Sequence, residues 1–314
     1  MEPIKTQVKV GKYNFQIIDN TLSSREGQIY SRNYRIGGGS NHPDCANVSI
    51  IYRDNQPISA YIPYIVYDPE CSENIPLDRG HGSIIMLKTL LHHIHEQIPT
   101  ITEVEFEDKS SIECATEEEI IKKGSKMRKK GTHVLPIPLY YFSMAFNGET
   151  WYEKNFNAHH KDTEQHKKYK AKIHELLNSE IKTPFIEFLE IAQPPENIRD
   201  ELDEYYQKSS TFGDFFQSIP KPDRCRLVRE WIYRFMSYHF KDVFSNTDWV
   251  IDIPIVSRQL LGGSSKKSFI PDPFMRNLNE KRRKPKTRKY YCPPGRIIYN
   301  PRPVTDLGLH ESDI

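Results

Sequence analysis

The sequence predicts an α+β fold: a mixed sheet flanked by helices, then a helical extension, then a basic, mostly irregular tail. Three observations predict it. Residues 48–67 read as two strands joined by turn chemistry at Asp54, Asn55 and Pro57, a β-hairpin. Ile84, Leu87, Leu91, Ile94 and Ile98 recur at three- and four-residue steps, the buried stripe of a helix over 83–98 that Pro99 ends. Thr102–Glu107 alternates again, with Val104 and Phe106 inward, so strand, turn, helix and strand form a crossover unit with parallel strands.

The remaining elements follow in order. Residues 6–18 read as one or two short strands. Residues 21–36 are polar, accommodate a short helix, and lead to a turn at Gly37–Gly39. Pro63, inside the second hairpin strand, marks a bulge or a sheet edge. A polar surface helix is expected at Glu117–Arg128, an extended segment at Leu135–Phe142, and a short helix over 148–155 with Phe156 opening a strand. A charged helix covers Thr163–Leu177. Residues 185–245 read as helical, with Leu227, Trp231, Phe235 and Tyr238 on one face of a long helix, and 249–256 as a buried strand. These patterns suggest a first domain over 1–178, a helical extension with a final strand over 179–262, and a tail over 263–314.

The composition is that of a soluble globular chain, 37% hydrophobic and 27% charged, with no run that reads as a membrane span. Five scattered cysteines without a CxxC pair point away from zinc or a disulfide framework and toward a reducing intracellular site. The net charge of +2 conceals an asymmetry: residues 263–303 hold twelve Lys or Arg against two acids, +10, which leaves −8 elsewhere.

Between hairpin and helix lies Leu77-Asp78-Arg79-Gly80-His81-Gly82-Ser83. Glycines at a helix start let a diphosphate approach free backbone amides and the positive end of the helix dipole. The plainer reading is a tight turn with Ser83 as N-cap. Arg79-Gly80-His81-Gly82 resembles the signature of the GNAT superfamily of N-acetyltransferases, which is Arg or Gln, two residues, Gly, one residue, then Gly or Ala. Thr150-Trp151-Tyr152-Glu153-Lys154-Asn155-Phe156 resembles that family's closing helix, and the hairpin, long helix and next strand fall in the family order. The resemblance covers about residues 6–160. The string PLYYFSMAFNGETWYEKNFNA, with FEDKSSIEC upstream, looks more narrowly like a GNAT-like group of large nucleocytoplasmic DNA viruses. The likeness implies acetyl-CoA as cofactor, with Arg79, Gly80, His81, Gly82 and Ser83 on its diphosphate and Tyr152 as the acid that protonates the departing thiolate. Two departures weigh against it: Ile84 stands where the family has Gly or Ala, and Asn155 replaces the usual Gly.

Acyl transfer to an amine also needs a base. Glu105, Glu107 and Asp108 are candidates beside the expected acyl site, with Asp108 first and Glu107 next; a solvated carboxylate face is the simpler account of the glutamates. A Cys114–His pair with His133, His159 or His160 is weaker than a buried inert thiol. His92, His93 and His95 lack metal-ligand spacing, so no metal is expected.

The basic strip Lys281, Arg282, Arg283, Lys284, Lys286, Arg288 and Lys289, followed by Tyr290 and Tyr291, suits nucleic acid or an acidic protein surface. A nuclear-localisation string or a clamp on the chain's own acidic body are the bland alternatives. Two functions therefore compete. One is an acyl-CoA-dependent N-acetyltransferase with an undefined amine acceptor. The other is a non-catalytic viral structural or interaction protein, in the host cytoplasm, the nucleus or the virion, that binds polyanions or virion proteins.

Overall fold

The structure is a computed structural model and describes residues 2–24, 27–39, 44–112, 114, 136–181 and 183–261. The expected helix at 117–128 and the basic strip 281–289 lie outside the described residues.

One eight-stranded mixed sheet organises the chain, in the order β1-β2-β3-β4-β5-β6-β10-β9. Strands β1 (Ile4–Val10), β2 (Tyr13–Ser23), β3 (Ile29–Gly37), β4 (Asp44–Arg53) and β5 (Gln56–Ile65) form an antiparallel meander. Asp54 and Asn55 both take positive φ, 51° and 58°, the geometry of the tight hairpin turn between β4 and β5. Helix α1 (His81–Gln97) then crosses over, and β6 (Glu103–Phe106) pairs parallel with β5, as the periodicity predicts. Val104 and Phe106 face the core while Glu103 and Glu105 face away.

Where the polarity of 21–36 suggested a helix, the structure has strand β3. Its core-facing positions alternate through Arg32, Tyr34 and Ile36, and Arg32 is held on that face by an ion pair with Asp19. Polar content hid a period of two.

After β6 come the two-residue strands β7 (Ser111–Ile112) and β8 (Ile137–Pro138), which pair with each other. The segment expected to be extended becomes helix α2 (Leu139–Asn147), with Pro138 at its N-cap, where a missing N–H does no harm. Helix α3 (Trp151–Phe156) carries a full capping box, Thr150 with Glu153, and ends at Phe156 rather than opening a strand there. Strand β9 (His159–His160) and helix α4 (Thr163–Asn178) follow.

The helical region is five short helices: α5 (Phe185–Ala192), α6 (Glu196–Gln207), α7 (Phe212–Ser218), α8 (Arg224–Val228) and α9 (Ile232–Phe240). No single long helix spans Leu227 to Tyr238, because the chain breaks between α8 and α9; Leu227, Trp231 and Phe235 are buried, but Tyr238 is 59% exposed. Their shared core is aromatic, with Phe188, Phe215, Phe216, Trp231 and Phe235 in mutual ring contact.

The expected strand 249–256 is a strand for only four residues, β10 (Trp249–Asp252), inserted between β6 and β9. Asp252 then caps the Ile255 amide and Pro254 sits in the first turn of helix α10 (Ile253–Leu260). α10 packs along α1, tied by Lys88 Nζ to Gln259 Oε1 at 2.8 Å and His92 Nδ1 to Ser257 Oγ at 2.6 Å.

The cysteines depart from expectation. Cys45 and Cys71 form a disulfide with Cα atoms 5.8 Å apart, and Cys114 pairs with Cys225 at 5.2 Å. Cys114 is therefore bonded rather than poised as a nucleophile. Bridges across 26 and 111 residues leave no signature in local spacing. Among the described residues no helix is long and apolar enough to cross a membrane.

Candidate functional site

The parallel pair fixes where chemistry can gather. β5 and β6 are paired only at Tyr61–Glu105 and Ile62–Phe106, although β5 runs on to Ile65. Beside that pairing, the β4–β5 register slips between Asn47–Tyr64 and Ser49–Tyr61, an extra residue in β5 around Ile62 and Pro63. This is a β-bulge of the kind that re-aims a strand. The start of α1, the turn after β1 and the residues that follow β6 all lie at this end of the sheet.

The Arg79–Ser83 turn is built from its own chain. Gly80 is the N-cap with φ 77°, a backbone that favours glycine. The His81 amide donates to Arg79 O at 3.0 Å, and the Gly82 amide donates to Asp78 O at 2.8 Å. A Cβ on Gly82 would lie 2.6 Å from Leu77 Cγ, so this glycine makes room for Leu77. Arg79 and His81 are exposed. Asp78 sits in the same turn, 2.6 Å from Lys12 Nζ, and that bond lowers its pKa. A diphosphate would thus meet a carboxylate, two amides already committed and a leucine side chain. These residues do not fit the group that the resemblance implied. One observation points the other way: Ser83 Oγ is buried without a partner among the described residues.

Tyr152 packs on the last residue of β6, and Asp108 lies two residues beyond that strand. The Tyr152 ring lies 4.5 Å from that of Phe106, the last residue of β6, and Tyr152 is only 3% exposed. Asp108 is 1% exposed; its Oδ1 accepts from the Ser110 amide at 3.1 Å and from the Ser110 hydroxyl, while Oδ2 is buried with no partner among the described residues. Burial raises its pKa to about 6, with Ser110 opposing and Glu153 adding to the rise. Glu107 is half-buried in an ion pair with Lys109. The structure therefore buries both Tyr152 and Asp108, leaves neither open to an amine in solvent, and commits Glu107 to Lys109.

Beyond them lies a group that nothing in the sequence brings together. Glu153, 6% exposed, accepts from the Thr150 amide and the Tyr169 hydroxyl, each at 2.7 Å, and lies 3.1 Å from Lys170 Nζ and 3.8 Å from His166 Nε2. Burial lowers the His166 pKa while Glu153 works against that. Burial, with help from Glu153, raises that of Tyr169. His160, His166, Tyr169, Val243, Phe244 and Trp249 line a shallow crevice of about 140 Å³ with open solvent counted in, and it has no room for a water molecule. That is well short of the several hundred Å³ a cofactor-sized ligand occupies. The available signals were the Thr150–Glu153 capping-box spacing and the His159-His160 pair. Among the described residues no cluster of three or more His, Cys, Asp or Glu is placed to hold a metal ion.

No protein-family profile, curated protein or solved structure matches the chain.

Proposed function

We propose that this chain is a non-catalytic interaction protein on a GNAT-like scaffold, acting by binding other macromolecules. The observation that carries the reading is the turn before α1, where Leu77 covers Gly82 and the His81 and Gly82 amides are bonded to the chain itself. The parallel β5–β6 pair joined by α1 supports the scaffold; the occupied turn argues against cofactor chemistry. The basic strip Lys281–Lys289 supplies the contact, to nucleic acid or to the acidic surfaces of virion proteins. Two disulfides suit a virion better than a reducing cytoplasm or nucleus.

The rival reading is acetyl-CoA-dependent N-acetyl transfer, favoured by the Ser83 hydroxyl, which has no partner among the described residues, and by the bulge beside the β5–β6 pairing. Calorimetric titration with acetyl-CoA decides between them. The interaction reading expects no heat of binding at millimolar cofactor. Micromolar binding that disappears in Gly82→Asp would replace it with the enzyme reading. DNA affinity across a salt series, with and without residues 263–314, tests the contact. The full chain should bind with a steep salt dependence that the truncated chain lacks.

A further inference from the structure

The sheet ends differently at its two edges. β9, at one edge, is only two residues long. β1, at the other, runs seven residues, Ile4–Val10, in unbroken register with β2, with neither a proline nor a bulge inside it. Among the described residues no backbone hydrogen bond reaches β1 from any element but β2. Every second residue of β1 therefore turns its N–H and C=O outward, a template for one more strand.

The side chains of β1 divide by face. Ile4, Thr6, Val8 and Val10 lie on the helix side of the sheet, opposite Asp19, Ile17, Phe15 and Tyr13 of β2. Ile4 is 62% exposed there, and Thr6, Val8 and Val10 are half-buried, so apolar surface stays open at the margin of the core. Lys5, Gln7 and Lys9 lie on the outer face and are exposed. Lysines on an edge guard against stray pairing, and these two do so by register. A second β1 laid antiparallel about a two-fold axis at Gln7 would set Lys5 opposite Lys9 twice, a repulsive pairing. An axis at Val8 carries Ile4 past the end of the facing strand and leaves it bare. An axis at Thr6 sets Ile4 opposite Val8, Lys5 opposite Gln7 and Thr6 opposite Thr6, so every direct pair from Ile4 to Val8 is compatible and Ile4 is covered.

We propose that β1 is a self-association edge: two copies of this chain pair β1 with β1, antiparallel about a two-fold axis at Thr6, and continue the sheet from one copy into the other. The occupant is a second copy because in that register the strand is its own complement, in charge and in apolar surface. Directly opposed residues of an antiparallel pair share a face, so the axis pierces the sheet and both helical layers lie on the same side. Ile4 of each copy packs on Val8 of the other, beside the paired Thr6 side chains, and extends the margin of each core. Lys5 of each meets Gln7 of the other on the outer face. The pairing uses neither the α1 turn nor the basic strip, so it stands apart from the function proposed above.

Sedimentation velocity of the full-length protein over a concentration series tests this. A mass that rises from one chain to two is the expected result. Thr6→Cys brings two thiols together on the axis, and mild oxidation should join two chains through them, as mapped by peptide mass spectrometry. Val10→Cys places its thiols at opposite ends of the paired strands and should not join them. Gln7→Lys keeps a donor for Glu73 Oε1 and sets a lysine opposite each Lys5. It should weaken the dimer at least about tenfold while leaving the thermal midpoint of the diluted monomer unchanged. The proposal is overturned by a single-chain mass at every concentration, which would leave the edge to a strand of a different protein. It is overturned equally by a dimer that Gln7→Lys leaves intact, or by oxidation that joins chains in Val10→Cys and not in Thr6→Cys.

Discussion

Burial holds the Asp108 carboxyl at a pKa of about 6, against 3.8 for the unburied group, and the linkage has a definite sign. Between those values the folded state binds the extra proton, so stability falls as pH rises from about 4 to about 6 and is flat above. A shift of this size is on the order of 3 kcal/mol. Asp108→Asn keeps an acceptor for Ser110 and removes the charge. The variant should therefore be more stable than wild type in urea melts at pH 8, with the gap closing by pH 4. A gap that does not change with pH would assign the effect to packing. Gly82 yields a second prediction at this scale. Its missing Cβ leaves space for Leu77, so Gly82→Ala should cost on the order of 1–3 kcal/mol. Leu77→Ala in the same chain should recover part of that loss, a coupling read from a double-mutant cycle. If the two costs add, Leu77 is not what requires the glycine.

Element by element, legibility followed locality. The β4–β5 hairpin, α1 and β6 were readable because turn residues and apolar spacing sit within a few positions of one another, and Pro63 announced a bulge or an edge, of which the register shows the bulge. β3 was not, since Arg32 occupies a core-facing position only because Asp19 on the neighbouring strand pairs with it. The 249–256 segment reads as one apolar run until Asp252 and Pro254 are taken together as a helix start. The crevice was illegible for a related reason: β9, α4, residues 243–245 and β10 supply its walls, and only the sheet order makes them neighbours. Asp252 gives this scale its test. Its side chain accepts from the Ile255 amide at 2.8 Å, and α10 packs along α1. Asp252→Ala should cost about 1 kcal/mol. Hydrogen exchange should quicken in α10 and the facing side of α1 while the β1–β5 meander keeps its protection. Uniform loss of protection would show that α10 does not open as a unit of its own.

Across the whole molecule, the two disulfides join parts that the sheet alone does not. Cys45–Cys71 ties β4 to the loop that leads into α1, and Cys114–Cys225 ties the residues just after β7 to α8. The bridges close spans of 26 and 111 residues, for which the loop-entropy account gives about 3.5 and about 4.8 kcal/mol. Single-domain stability is itself only about 5–15 kcal/mol, so together the bridges rival the whole margin. Peptide mapping without reductant should therefore recover Cys45 linked to Cys71 and Cys114 linked to Cys225. Reduction should lower the thermal midpoint steeply, and Cys114→Ala with Cys225→Ala should lower it more than Cys45→Ala with Cys71→Ala, because the longer span gains more chain entropy on release. The opposite order would mean that the loop before α1 depends on its bridge for local order. All four thiols free in protein purified under oxidising conditions would remove the support the bridges lend to a virion location.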